Sequence, residues 1–168
     1  MTKKIALVVV LLGTVVTLIA ALGNSRRSES TGANSAASTQ AVPDKVLMQK
    51  IWDAWATMDP GNAAQFYDKQ STDVFFDIAP VKYEGWENYS KGAANAIQQM
   101  FTALKFTVND DARVQNSAAG ALGTATVDSV LTGKDGKTQH ITLRWTVIWT
   151  NQNGRWLIIH EHVSAPLS

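Results

Sequence analysis

Two places in the chain gather side chains able to do acid–base or metal chemistry. The closing segment "RWLIIHEHVSAP", Arg155 to Pro166, sets His160, Glu161 and His162 side by side and holds two of the three histidines. The other is Asp77, within "DVFFDIAP". A His-x-His pair on one face of a strand can hold a metal ion. A carboxyl in apolar surroundings can hold a proton poised for transfer. The sequence has no cysteine, which excludes thiol catalysis, cysteine–zinc sites and disulfides.

Alternation decides which face each of these side chains takes. In "HITLRWTVIWT" the residues Ile141, Leu143, Trp145, Val147 and Trp149 alternate with His140, Thr142, Arg144 and Thr146. That period of two sends the large apolar set to one face and the polar set to the other. A three-residue loop, Gln152-Asn153-Gly154, would pair Asn151 with Arg155. Trp149 then falls opposite Leu157, Val147 opposite Ile159, Trp145 opposite Glu161, and Arg144 opposite His162. Glu161 is thereby expected on the apolar, helix-covered face. His160 and His162 are expected on the polar face. The histidine pair lacks a third ligand there, since His140 projects past the end of the partner strand, and Arg144 opposes a cation. No metal and no cofactor are expected. The histidines are read as hydrogen-bonded on a sheet face or at a subunit interface, with catalysis as the alternative. A carboxylate on an apolar face is costly unless paired or hydrogen-bonded, so Glu161 either lines a pocket or meets a buried donor.

The elements that must position these residues follow from the rest of the pattern. Pro43 and Asp44 suit a helix start, and Leu47, Ile51, Trp55 and Met58 follow at helical spacing. Asp59-Pro60 stops that helix and caps a second, short one reaching Tyr67. Residues 73–77 read as a strand and Trp86 to Phe101 as a third helix, weakened by Gly92. Residues 105–115, 121–131, 139–150 and 155–164 read as four strands joined by Gly-rich turns. Helices first and an antiparallel meander last predict an α+β domain, with about three N-terminal helices packed on one face of a mainly antiparallel sheet.

Ahead of this domain, expected from residue 43 to 168, lie two segments of different character. The uncharged run "IALVVVLLGTVVTLIAAL", Ile5 to Leu22, follows Lys3 and Lys4 and reads as an export signal over residues 1–23. Its length and the Arg26-Arg27 flank make an uncleaved anchor the alternative. Either form places the domain outside the cytoplasmic membrane, with membrane contact only through this segment. Residues 24–42 are rich in Ser, Ala, Thr and Asn and read as a flexible tether. Charge divides along the same line. The first 42 residues carry four basic side chains against Glu29, a net +3, and the remaining 11 basic and 13 acidic residues give −2. A mildly acidic domain without a basic stripe is a poor partner for nucleic acid.

The rings Trp52, Trp55, Tyr67, Phe76, Trp86, Tyr89 and Trp145 are many for a domain of this size. They serve either core packing or a cavity suited to a flat or apolar small molecule. Taken in order, "TMDPGNAAQFYDKQSTDVFFD", "YEGWENY", a long helix and "NGRWLIIHEHVSAP" resemble the SnoaL-like branch of the nuclear-transport-factor-two-like superfamily, which includes the ketosteroid isomerases. The last segment also resembles the end of the calcium/calmodulin-dependent kinase association domain. The resemblance implies a curved sheet wrapped around three helices, a cone with an apolar cavity, and a homodimer through the outer sheet face that carries Arg144, His160 and His162. It places Asp77 at the isomerases' carboxylate base. It places Ile51 and Trp145 where their oxyanion donors stand, so isomerase chemistry of that type is not implied. Asp77 and Glu161 remain the candidate acid–base pair. Trp52, Tyr67, Phe76, Trp86, Tyr89, Trp145 and Glu161 are the expected ligand-binding residues. The expected function is binding of a small, largely apolar molecule, with a small-molecule acid–base enzyme or an oligomerisation module as alternatives.

Overall fold

A computed structural model describes residues 41–78 and 82–166. The expected leader, and the tether up to residue 40, lie outside these residues, as does Pro80.

Helix α1 spans Lys45–Ala56 and is capped by Asp44, whose carboxylate accepts the Leu47 N–H at 2.8 Å. Met48, Ile51, Trp52 and Trp55 form its buried face, at the spacing of one helical stripe. The helix ends two residues before Met58, which turns the chain in a left-handed conformation (φ 62°). Asp59 then caps α2, Pro60–Ala63, through the Gly61 N–H at 2.8 Å, and a 3-10 turn over Ala64–Phe66 delivers Tyr67. Strands β1 (Val74–Phe76) and β2 (Tyr83–Glu84) lead into α3, Gly85–Met100. The helical glycine Gly92 has a packing reason: a Cβ there would run into the Tyr83 ring.

The five remaining strands are β3 (Phe101–Val108), β4 (Arg113–Ser117), β5 (Gly120–Gly133), β6 (Thr138–Gln152) and β7 (Arg155–Ser164). The sheet runs β2-β1-β7-β6-β5-β3, with β4 also on β5. All pairs are antiparallel except β1 with β7. The helices cover one face, and Phe75, Val127, Trp145, Val147 and Trp149 are buried between the layers.

Two expectations require correction. The single strand expected over residues 105–115 is two. It breaks at 109–112 because the Asp111 carboxylate takes the Thr126 N–H, at 3.0 and 3.2 Å, in place of a backbone carbonyl. Strand β5 runs on unbroken, pairing β3 on one side of that point and β4 on the other. The closing hairpin also has a different register. Its turn is the two-residue Asn153-Gly154, both with positive φ (54° and 84°), as a type I′ turn requires, so Gln152 pairs with Arg155. A bulge then inserts Ile159: Trp149 faces Ile158, but Ile148 faces His160. Glu161 therefore lies opposite Val147 rather than Trp145, His162 opposite Thr146 rather than Arg144, and Leu157 opposite Thr150 rather than Trp149.

Candidate active site

After the bulge, the inward side chains of β7 are Glu161 and Val163. Glu161 is 2% exposed, and its parallel neighbour on β1, Phe75, is fully buried. A carboxyl so placed must be satisfied from within. Two donors do this. The Tyr67 hydroxyl donates to Oε1 at 2.8 Å and the Trp145 indole N–H donates to Oε2 at 2.9 Å. Tyr67 is itself held by the Trp55 N–H at 2.9 Å, so a relay runs Trp55→Tyr67→Glu161. Burial pushes the Glu161 carboxyl up to about 7; the Tyr89 hydroxyl facing it and the donors Trp145 and Tyr67 oppose that rise without cancelling it. Burial, then the Glu161 charge, raises both tyrosine hydroxyls well above their usual range.

Glu161 forms part of the wall of a cavity of about 250 Å³ between the helices and the sheet. Asp77, just past the end of β1, lines the same cavity. Its carboxylate accepts the Ile78 N–H at 2.7 Å, and burial holds its pKa above the ordinary aspartate value. The rest of the wall is mostly apolar. Helix α3 contributes Tyr89, Ala93, Ala96, Ile97 and Met100 along one stripe, and β3 contributes Leu104 and Phe106 from alternate positions.

The residues expected to bind a ligand divide into three groups. Trp52, Tyr89 and Glu161 line the cavity. Tyr67 and Trp145 stand behind the wall and hold Glu161. Trp86 and Phe76 are elsewhere. Trp86 packs on Tyr67 at 4.4 Å, with the Lys69 ammonium 4.4 Å from its ring. Phe76 lies on the outer face of the sheet, its ring 5.5 Å from His160 and 5.7 Å from His162. The His160 Nδ1–H donates to the Val74 carbonyl at 2.7 Å, which ties β7 to β1 on that outer face. Among the described residues no three His, Asp or Glu side chains gather as metal ligands do. The expectation missed Trp55, Ile97, Leu104 and Phe106 as wall residues. The period-two run Leu104, Phe106, Val108 carried the signal for the last two.

Solved structures share this architecture at low sequence identity. A nuclear transport factor 2-like superfamily protein from Salmonella enterica superposes with a TM-score of 0.64 at 18% identity, covering 74% of this chain and 92% of that one. The S. rosetta CaMKII hub gives 0.57 at 20% identity, covering 76% and 99%. A hexachlorocyclohexane dehydrochlorinase, LinA type 2, gives 0.60 at 15% identity, covering 71% and 83%. No curated protein matches the chain. The model of the SnoaL-like domain matches residues 47–168, the stretch that builds the helices, the sheet and the Glu161 cavity, and the chain belongs to that family.

Proposed function

We propose that the domain binds a small, largely apolar molecule carrying a polar group in a cone between its helices and sheet, with Glu161 anchoring the polar end. One observation carries this reading: an apolar cavity of about 250 Å³ is open in the fold, with a buried, internally braced carboxyl in its wall. Such a volume lies near the lower end of ligand sites, which run from ~300 to ~1,000 Å³, and suits a ligand of roughly ten to fifteen heavy atoms. A module serving assembly alone would gain stability by filling that space with side chains.

The neutral probe 4-phenylbutan-1-ol tests this. Isothermal titration calorimetry is expected to show saturable binding to a single site, with Kd of about 0.1–1 mM for a ligand of this size. Ala96→Trp, which drives a ring into the cavity from α3, is expected to abolish the heat while leaving the circular dichroism spectrum unchanged. Equal binding by both proteins would place the probe elsewhere.

A second reading has its own observation. Asp77 and Glu161 are two carboxyls in one cavity, both with pKa raised by burial. That is the provision of a general acid and base working near neutral pH. The LinA protein of similar fold is by its name a dehydrochlorinase. Turnover of a bound substrate, lost in Asp77→Asn with binding retained, would move the assignment from binder to enzyme.

A further inference from the structure

We propose that the cavity selects a hydrophobic amine: an ammonium group on a small apolar body. This rests on the reading of the cavity as a ligand site and adds the charge class of the ligand.

The argument begins with an imbalance in the wall. Its ionisable groups are Asp77, Glu161 and Tyr89; no Lys, Arg or His side chain lines it among the described residues. Most donors close to the carboxyls are already committed. The Tyr67 hydroxyl and the Trp145 N–H are bonded to Glu161, and the Trp55 N–H is bonded to Tyr67. The Trp52 N–H is buried and shielded from the space. Acceptor capacity is left over. An ionised carboxylate offers about four acceptor sites, of which two are used at Glu161 and one at Asp77. A ligand that donates completes this set, whereas one that only accepts finds just the Tyr89 hydroxyl near the carboxyls and the Gln139 amide elsewhere in the wall. A donor carrying positive charge gains most, because burial costs each carboxylate solvation that a cation restores.

The surrounding rings favour the same ligand. Trp52, Trp55, Tyr89 and Phe106 all line the cavity, with Trp52 and Phe106 at 4.7 Å and Trp55 and Tyr89 at 5.4 Å between centroids. Aromatic faces attract cations, more so out of water. An anion would meet two like charges and the negative faces of those rings.

Three probes of one shape separate the outcomes: 4-phenylbutylamine, 4-phenylbutan-1-ol and 4-phenylbutanoate. Calorimetry at pH 8 has Glu161 deprotonated, with Asp77, Tyr67 and Tyr89 the titratable groups facing it. The amine is expected to bind at least about tenfold tighter than the alcohol, and the carboxylate not to bind. Glu161→Gln and, independently, Asp77→Asn should each weaken the amine by about tenfold, and each should weaken it by more than it weakens the alcohol. Asp77 is half-buried at the edge of the fold, so its variant keeps the test open if the Glu161 variant is unstable. Alcohol and amine binding equally would overturn the amine assignment and leave the cavity reading standing. An amine affinity unmoved in both variants would also overturn it. No binding of any probe would remove both.

Discussion

Glu161→Ala is expected to destabilise the fold by about 3 kcal/mol at pH 5, and Glu161→Gln by only about 1 kcal/mol. Alanine removes the acceptor of two donors, Tyr67 and Trp145, in a buried setting. A buried donor left without a partner costs roughly 1–3 kcal/mol, and the deleted side chain adds a void. The Tyr67 hydroxyl recovers part of this by turning, but the Trp145 N–H cannot turn. Glutamine keeps the shape. Its oxygen can accept from Trp145, and its amide can donate to the Tyr67 hydroxyl, which already accepts from Trp55 and still has a lone pair. Urea denaturation of the three proteins at pH 5 measures the difference. Equal losses for Ala and Gln would show that the shape and hydrogen bonds glutamine retains recover nothing of what the carboxyl supplies.

The same pair of proteins should exchange rank with pH. The folded-state pKa of Glu161 is about 7, against an ordinary value of 4.5. Between those values the folded protein holds a proton that the unfolded chain has released. Stability therefore falls as pH rises through this window, and the stability contributed by the protonated carboxyl is fully present only below pH 4.5. A shift of this size corresponds to ~3 kcal/mol lost by pH 8. Glutamine does not titrate. Glu161→Gln is thus expected to be about 1 kcal/mol less stable than the parent at pH 5 and about 2 kcal/mol more stable at pH 8. Taking the difference between the two proteins cancels every group they share. A difference constant from pH 4.5 to pH 8 would show that the carboxyl is charged throughout, held by its two donors.

The inward placement of Glu161 was legible in the sequence, although the path to it was not. The alternation of β6 is unambiguous, and a residue on β7 must share a face with Val147 or Trp145 if the hairpin is to bury its apolar side. The register has two further steps. The turn is one residue shorter than the loop expected, which would reverse every face of β7, and the bulge at Ile159 reverses them back. Nothing in "LIIHEH" announces a bulge, because Ile158 and Ile159 are alike in the pattern. The Phe76 expectation failed for a similar reason. In "DVFFD" both central positions are aromatic, so parity cannot say which ring points inward, and the fold buries Phe75. The bracing of Glu161 was beyond reach: Tyr67 is 94 residues away, and the turn after α2 and the parallel bridge of Tyr67 to Ile158 on β7 bring it near. Asp111 shows the converse case. Its charge marks a turn, yet its effect, breaking one strand while sparing the next, depends on the Thr126 N–H across the sheet.

A crystal structure of the domain soaked with 4-phenylbutan-1-ol tests the central claim most directly. The account predicts ligand density between α3 and the sheet, with the phenyl ring against Trp52 and Phe106 and the hydroxyl oxygen within about 3 Å of the Glu161 carboxyl. A cavity closed by its own side chains, or density with the hydroxyl turned away from Glu161 toward solvent, would contradict it.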